Sequence, residues 1–113
     1  MWNLIETFII KITDEASLDL IQIYNYIANE LKVPEIAAKQ VDRIRKTIQS
    51  LDVLPLRNPI VSWEPWKSKC YRQVPIDNFI AYYATDEKQQ IVTVLRIFYG
   101  KRDIETLIQD SAL

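Results

Sequence analysis

The cations that could act together in this 113-residue chain are concentrated late in the sequence. Arg72 lies in one β-rich stretch and Arg96 in another, and Lys101, Arg102 and Asp103 follow directly. A strand meander over Cys70 to Ile104 would therefore carry basic groups to one end of a sheet. Arg96 is the residue that breaks its own pattern: alternation places it on the strand face of Val92, Val94 and Phe98. A guanidinium among such neighbours must meet a carboxylate or contact an anion near water.

Several chemistries are excluded by composition. The chain has no histidine and one cysteine, Cys70, so Ser-His and Cys-His nucleophilic pairs, imidazole zinc sites and thiolate clusters cannot form. It has one glycine, Gly100, whereas phosphate-cradling loops and dinucleotide fingerprints need several. No cofactor or metal is expected. The 14 basic and 15 acidic residues nearly cancel, unlike the excess of cations usual in a nucleic-acid binder. The halves differ little: residues 1–54 carry 6 basic and 8 acidic groups, and residues 55–113 carry 8 and 7.

Length and hydropathy set the frame that must position these groups. A chain of this size, 49% hydrophobic and 26% charged, is expected to fold as one domain over residues 1–113. No apolar run approaches the roughly 20 residues needed to span a bilayer, and WNLIETFIIKIT lacks the order of a signal peptide. No membrane association is expected. A cytoplasmic location follows, and an unpaired cysteine agrees with it.

Periodicity then supplies the elements. Glu6 to Thr13 is rich in β-branched residues and reads as a strand, with Thr13, Asp14 and Glu15 as the cap and acidic first turn of a helix. From Ala16 to Leu31, Leu20, Tyr24, Ile27 and Leu31 follow one helical face, and Ile21, Ile23 and Ala28 broaden it, so burial on more than one side is expected. Pro34 suits a first helical turn, and Ala37, Val41, Ile44, Ile48 and Leu51 trace a second helix. The short connection makes the pair an antiparallel hairpin. Asp42, Arg43, Arg45, Lys46 and Gln49 turn away from the second stripe, as a solvated face or one that meets a partner.

The passage LPLRNPIVSWEPWKSK carries Pro55, Pro59 and Pro65 and reads as an ordered loop. Its Trp63 and Trp66 are lids on the core or aromatics that a partner covers. Strand two runs from about Lys69 to Ile76, with Pro75 favouring an edge position. Asp77 and Asn78 make a two-residue turn, strand three is Phe79 to Thr85, and IVTVLRIFY forms a central strand. A short helix from Asp103 through Ile108 closes the chain.

In this order, an IYNYIANEL-like first helix, a Pro-rich loop, YRQVPIDNFIAYYATDE and VTVLRIFYGKRDI resemble the RelE/ParE superfamily of toxins from bacterial type II toxin-antitoxin pairs. The resemblance covers nearly the whole chain. It implies an α+β fold, with the helix hairpin packed on one face of a twisted, mainly antiparallel sheet. It also implies a cognate antitoxin that masks the toxin, as a heterotetramer or around a toxin homodimer.

Two mechanisms exist within that superfamily. RelE-like toxins cut mRNA on the ribosome by attack of a 2′-hydroxyl on the neighbouring phosphate, which needs cations for the phosphorane and groups to move protons. Arg72 and Arg102 match basic positions of that site, and Tyr99 is the candidate replacement for its aromatic acid or base. Val74, Ile80 and Ile108 stand where that branch has polar groups. ParE-like toxins poison DNA gyrase, and LRIFYGKRD looks closer to them. The resemblance thus implies a growth-arresting toxin that binds a protein target such as gyrase. Arg96, Lys101 and Arg102, with Arg43, Trp63 and Trp66, are the candidate contacts. A ribosome-dependent mRNA endonuclease is the alternative, and a non-toxic antitoxin-binding module is the third reading.

Overall fold

Thr13 ends the first strand and starts the first helix with the same side chain. In the computed structural model, which describes residues 7–100, β1 spans Ile9–Ile12 and α1 spans Asp14–Asn25. The Thr13 hydroxyl accepts the Ala16 N–H at 3.0 Å and donates to the Leu95 carbonyl at 2.8 Å. The cap supplies one of the orphan N–H groups of the helix with a partner and ties that end of the helix to the sheet.

After α1 the chain winds one π-helical turn, Tyr26–Glu30, before α2 spans Pro34–Gln49. Two short 3₁₀ turns follow, Ser50–Asp52 and Pro55–Arg57. The sheet then completes itself as a meander of β2 (Arg72–Ile76), β3 (Phe79–Asp86) and β4 (Ile91–Tyr99). The strand order is β1-β4-β3-β2, with β1 parallel to β4 and the remaining pairs antiparallel. The expected α+β arrangement, the central position of the last strand and the edge position of the Pro75 strand all hold. The helix predicted from Asp103 lies outside the described residues, as does Glu6 of the first predicted strand.

Two apolar clusters fill the two faces of the sheet. On the helix side, Ala16 and Leu20 of α1 and Ile44 and Ile48 of α2 pack on Val74, Ala81, Tyr83, Val92, Val94 and Ile97. On the other side the Pro-rich loop lays Val61 and Trp66 over Tyr82 and Phe98, with Trp63, Tyr71 and Ile80 packed around them. Each fully buried side chain of this size contributes about 1.5–3 kcal/mol relative to its exposed state, so both layers hold the sheet.

Two sequence expectations are corrected here. The register of β3 and β4 shifts between Tyr82 and Tyr83: Tyr82 pairs Arg96 and Tyr83 pairs Val94, leaving Leu95 as the extra residue of a bulge. Side-chain alternation inverts across a bulge, so Val92 and Val94 belong to the helix-side core while Phe98 belongs to the loop-side cluster. Arg96 therefore does not share a face with Val92 and Val94. Its guanidinium carbon instead sits 4.4 Å from the Phe98 ring centroid. The broad burial expected of the first helix also fails, because Leu18, Ile21 and Leu31 are each more than half exposed.

Candidate partner-binding groove

Where β1 stops, β4 continues. The ladder between them runs from Ile9 opposite Ile91 to Ile12 opposite Val94, so among the described residues β4 from Leu95 onward has no strand beside it on that edge. Side chains occupy that edge instead: Thr13 at the Leu95 carbonyl and Asp19 at the Ile97 N–H, 2.9 Å away. Asp19 is 6% exposed, and a carboxylate this buried needs a positive partner. Arg96 provides it, through Nε at 2.8 Å and Nη2 at 3.1 Å. The Arg96 head is thereby committed to a carboxylate, one of the two roles its place in the strand allowed.

Beyond Asp19 the helices and the sheet diverge around a groove of about 830 Å³. Ile23, Tyr26, Ile27 and Leu31 form one wall, Ile36 and Gln40 of α2 a second, and Phe79, Ile97, Phe98 and Tyr99 the sheet side. Tyr26, Leu31 and Ile36 are 57%, 53% and 54% exposed. Large apolar side chains presented together in this way mark an interaction surface. Covering the exposed half of each would contribute on the order of 1 kcal/mol per side chain.

A polar clamp fixes the rim. The Asp77 carboxylate, in the β2–β3 turn, receives Arg43 Nε at 2.7 Å and Gln40 Nε2 at 3.1 Å. The Arg43 bond, then the Gln40 bond, hold the Asp77 pKa below its ordinary value. Asp77 has a positive φ of 54°, which the short Asx side chain tolerates. At the far side Gly100 donates to the Asn78 carbonyl at 2.8 Å, and a Cβ there would meet that oxygen at 3.3 Å. The helix α2, the turn and the end of β4 are thus linked around the groove.

The sequence-predicted site residues do not form one constellation among the described residues. Arg72 Nη1 donates to the Leu56 and Asn58 carbonyls at 3.1 and 2.6 Å, which fastens the Pro-rich loop to β2. Tyr83, opposite Arg72, donates its hydroxyl to the Pro55 carbonyl and receives Asn58 Nδ2 at 3.1 Å. Burial raises the Tyr83 pKa, partly opposed by the Asn58 bond. Tyr99 stands at the groove with its ring edge-on to Phe79 at 5.8 Å. Arg43 serves the rim clamp. Trp66 is fully buried and stacks on the half-buried Trp63 at 4.9 Å. Lys101 and Arg102 lie outside the described residues.

Val74 and Ile80, which stand where a nuclease has polar groups, occupy opposite faces. Val74 belongs to the helix-side core and Ile80 packs against the loop-side aromatic cluster. Sequence reasoning missed Asp19, Asp77 and Arg57, whose guanidinium donates to the Val53, Leu54 and Ser50 carbonyls and so closes the end of α2. A signal existed for Asp19: it lies between Ala16, Leu20 and Ile23 on the apolar stripe of α1, where an acid is out of place.

A family model described as the ParE toxin of the type II toxin-antitoxin system parDE matches residues 10–104. The chain belongs to that ParE toxin family. The match spans most of the first strand, both helices, the Pro-rich loop and the meander. No curated protein sequence matches. Among solved structures, the ParE-family fold seen here is similar to a chain of the chromosomal ParDE system from P. aeruginosa. That pair has 23% identity and a TM-score of 0.69, covering 85% of this chain and 99% of that one. The fold is also similar to a chain of the RelBE2 toxin-antitoxin complex from Mycobacterium tuberculosis, at 18% identity and a TM-score of 0.59, covering 82% and 91%. A third similarity, to a chain of the archaeal RelE-RelB complex from Pyrococcus horikoshii OT3, has 13% identity and a TM-score of 0.57, covering 85% and 98%. These likenesses confirm the fold that positions the groove. No helix among the described residues is long and apolar enough to cross a membrane.

Proposed function

We propose that this chain is a growth-arresting toxin that acts by binding a protein target, with DNA gyrase as that target, and that a cognate antitoxin neutralises it by covering the apolar groove. The observation that carries the reading is the employment of the arginines. Arg96 is spent on Asp19 and Arg72 on the loop carbonyls, whereas phosphoryl-transfer chemistry on RNA needs cations free to meet developing charge. A near-neutral chain also lacks the excess of cations that gripping ribosomal RNA favours.

Lys101 and Arg102, which follow the last strand in sequence, are the cations assigned to the target. The antitoxin is assigned the groove, because Tyr26, Leu31 and Ile36 gain from being covered by the apolar side chains of a protein partner. The toxin works in the cytoplasm, where gyrase and the antitoxin are. Inducing the chain alone should stop bacterial growth, and co-expressing the antitoxin should restore it. Normal growth with confirmed folded protein would instead support a non-toxic antitoxin-binding module.

A further inference from the structure

A straight α-helix places residues seven apart within about 20° of one another. Tyr24 and Leu31 are such a pair, and their shared spacing with Leu20 predicts one face. The structure separates them. Tyr24 and Leu20 line a second, smaller groove with Ile21 and Arg45, on the side of β1, while Leu31 lines the partner-binding groove with Tyr26 and Ile27.

The π-turn between them explains the separation. Leu31 donates its N–H to the Tyr26 carbonyl at 3.1 Å, an i→i+5 bond, where an α-helix would use Ile27. One residue more in the turn retards the following side chain by about 100°, the angle an α-helix advances per residue. Leu31 consequently lines the same groove as Tyr26 instead of continuing the Leu20 and Tyr24 row. The result is two half-exposed apolar side chains at one wall of the larger groove.

We infer that the π-turn Tyr26–Glu30 is the device that builds this groove, by diverting Leu31 from the β1-side face of the hairpin to the partner-binding wall. The inference rests on the groove being the partner site for its biological meaning, but its geometry stands without the partner. Extra residues of this kind recur at functional sites, and here the extra residue decides which of two surfaces receives a binding side chain. An α-helical version of the same segment would return Leu31 to the Leu20 and Tyr24 row beside the smaller groove and leave the partner-binding groove shallower.

Nile red, a neutral apolar dye, tests this with the full chain. Leu31→Asp should weaken dye binding about tenfold, and Tyr24→Asp should leave it unchanged. Deleting Ala28, which restores α-helical spacing, should weaken binding like Leu31→Asp while the far-ultraviolet circular dichroism keeps its helical signal. Because the deletion could unfold the chain, the wild type supplies an independent measurement: the NMR coupling transmitted through the hydrogen bond of the Leu31 nitrogen. Coupling to the Tyr26 carbonyl carbon is expected. Coupling to Ile27, dye binding that depends on Tyr24 and not on Leu31, or a folded deletion variant that binds dye as the wild type does would each overturn the inference. An antitoxin that fails to bind while these results hold would overturn the partner reading alone.

Discussion

The Asp19 carboxylate on α1 grips the Arg96 guanidinium on β4 with both oxygens, at 2.8 and 3.1 Å, and the nearer oxygen also accepts the Ile97 N–H at 2.9 Å. One buried acid therefore balances a strand cation, fills the edge of β4 that β1 leaves open, and holds the first helix at the head of the groove. The arrangement assigns Arg96 to the scaffold, although its position in the sequence equally allowed an anion contact.

Removing Asp19 should be costly. Asp19→Ala leaves Arg96 without a counterion and Ile97 without an acceptor, and Arg96 is only 21% exposed along its side chain. We expect a loss of about 2–3 kcal/mol by urea denaturation, below the roughly 3–5 kcal/mol of fully buried pairs because water screens part of the arginine. The double variant with Arg96→Met should cost less than the sum of the single changes by at least about 1 kcal/mol. Strict additivity would show that the pair is not coupled.

Groove substitutions should separate binding from folding. Tyr26→Asp and Leu31→Asp alter side chains that are more than half exposed. Stability should therefore stay within about 1 kcal/mol of the parent, while co-purification with the antitoxin is lost and growth arrest can no longer be relieved by it. Retained co-purification would place the antitoxin elsewhere.

The rim clamp predicts a pH dependence of defined sign. Asp77 has a folded pKa below its ordinary value of 3.8, caused first by Arg43 and then by Gln40. A depressed carboxylate contributes stability above its unfolded pKa and loses it as pH falls through the folded one. Acid unfolding of the parent should thus include a component below about pH 4 that Asp77→Asn lacks. A variant with an identical acid limb, measured by circular dichroism between pH 2 and 6, would show that the clamp does not form in solution.

Arg102 is the cation most directly assigned to the target. Arg102→Ala should abolish growth arrest while the antitoxin still binds and the stability changes by less than about 1 kcal/mol. A large fall in the thermal midpoint would reassign the residue to the scaffold.

Much of the fold was legible because its signals are local. Thr13 before two acids, Pro34 at a helix start, Pro75 at an edge and the β-branched run of Ile91–Tyr99 each specify conformation through neighbours in sequence. What escaped depends on partners far along the chain. The bulge at Leu95 inverts which face Arg96 shares, and the Asp19 to Arg96 pair spans 77 positions. The π-turn escaped for another reason: a period of 3.6 assumes unbroken winding, and Leu31 obeys the pattern in sequence while leaving it in space. Of the candidate site, Arg72, Arg96 and Arg43 were found as residues, but their roles as loop anchor, core ion pair and rim clamp required the carbonyls and carboxylates they meet.

The most direct test of the central claim uses the purified chain in two reactions side by side, gyrase supercoiling of relaxed plasmid and incubation with mRNA-programmed ribosomes. The account predicts that supercoiling falls with rising toxin, that added antitoxin restores it, and that the mRNA stays intact. Cleavage of mRNA at codons in the ribosomal A site, with supercoiling unaffected, would contradict it.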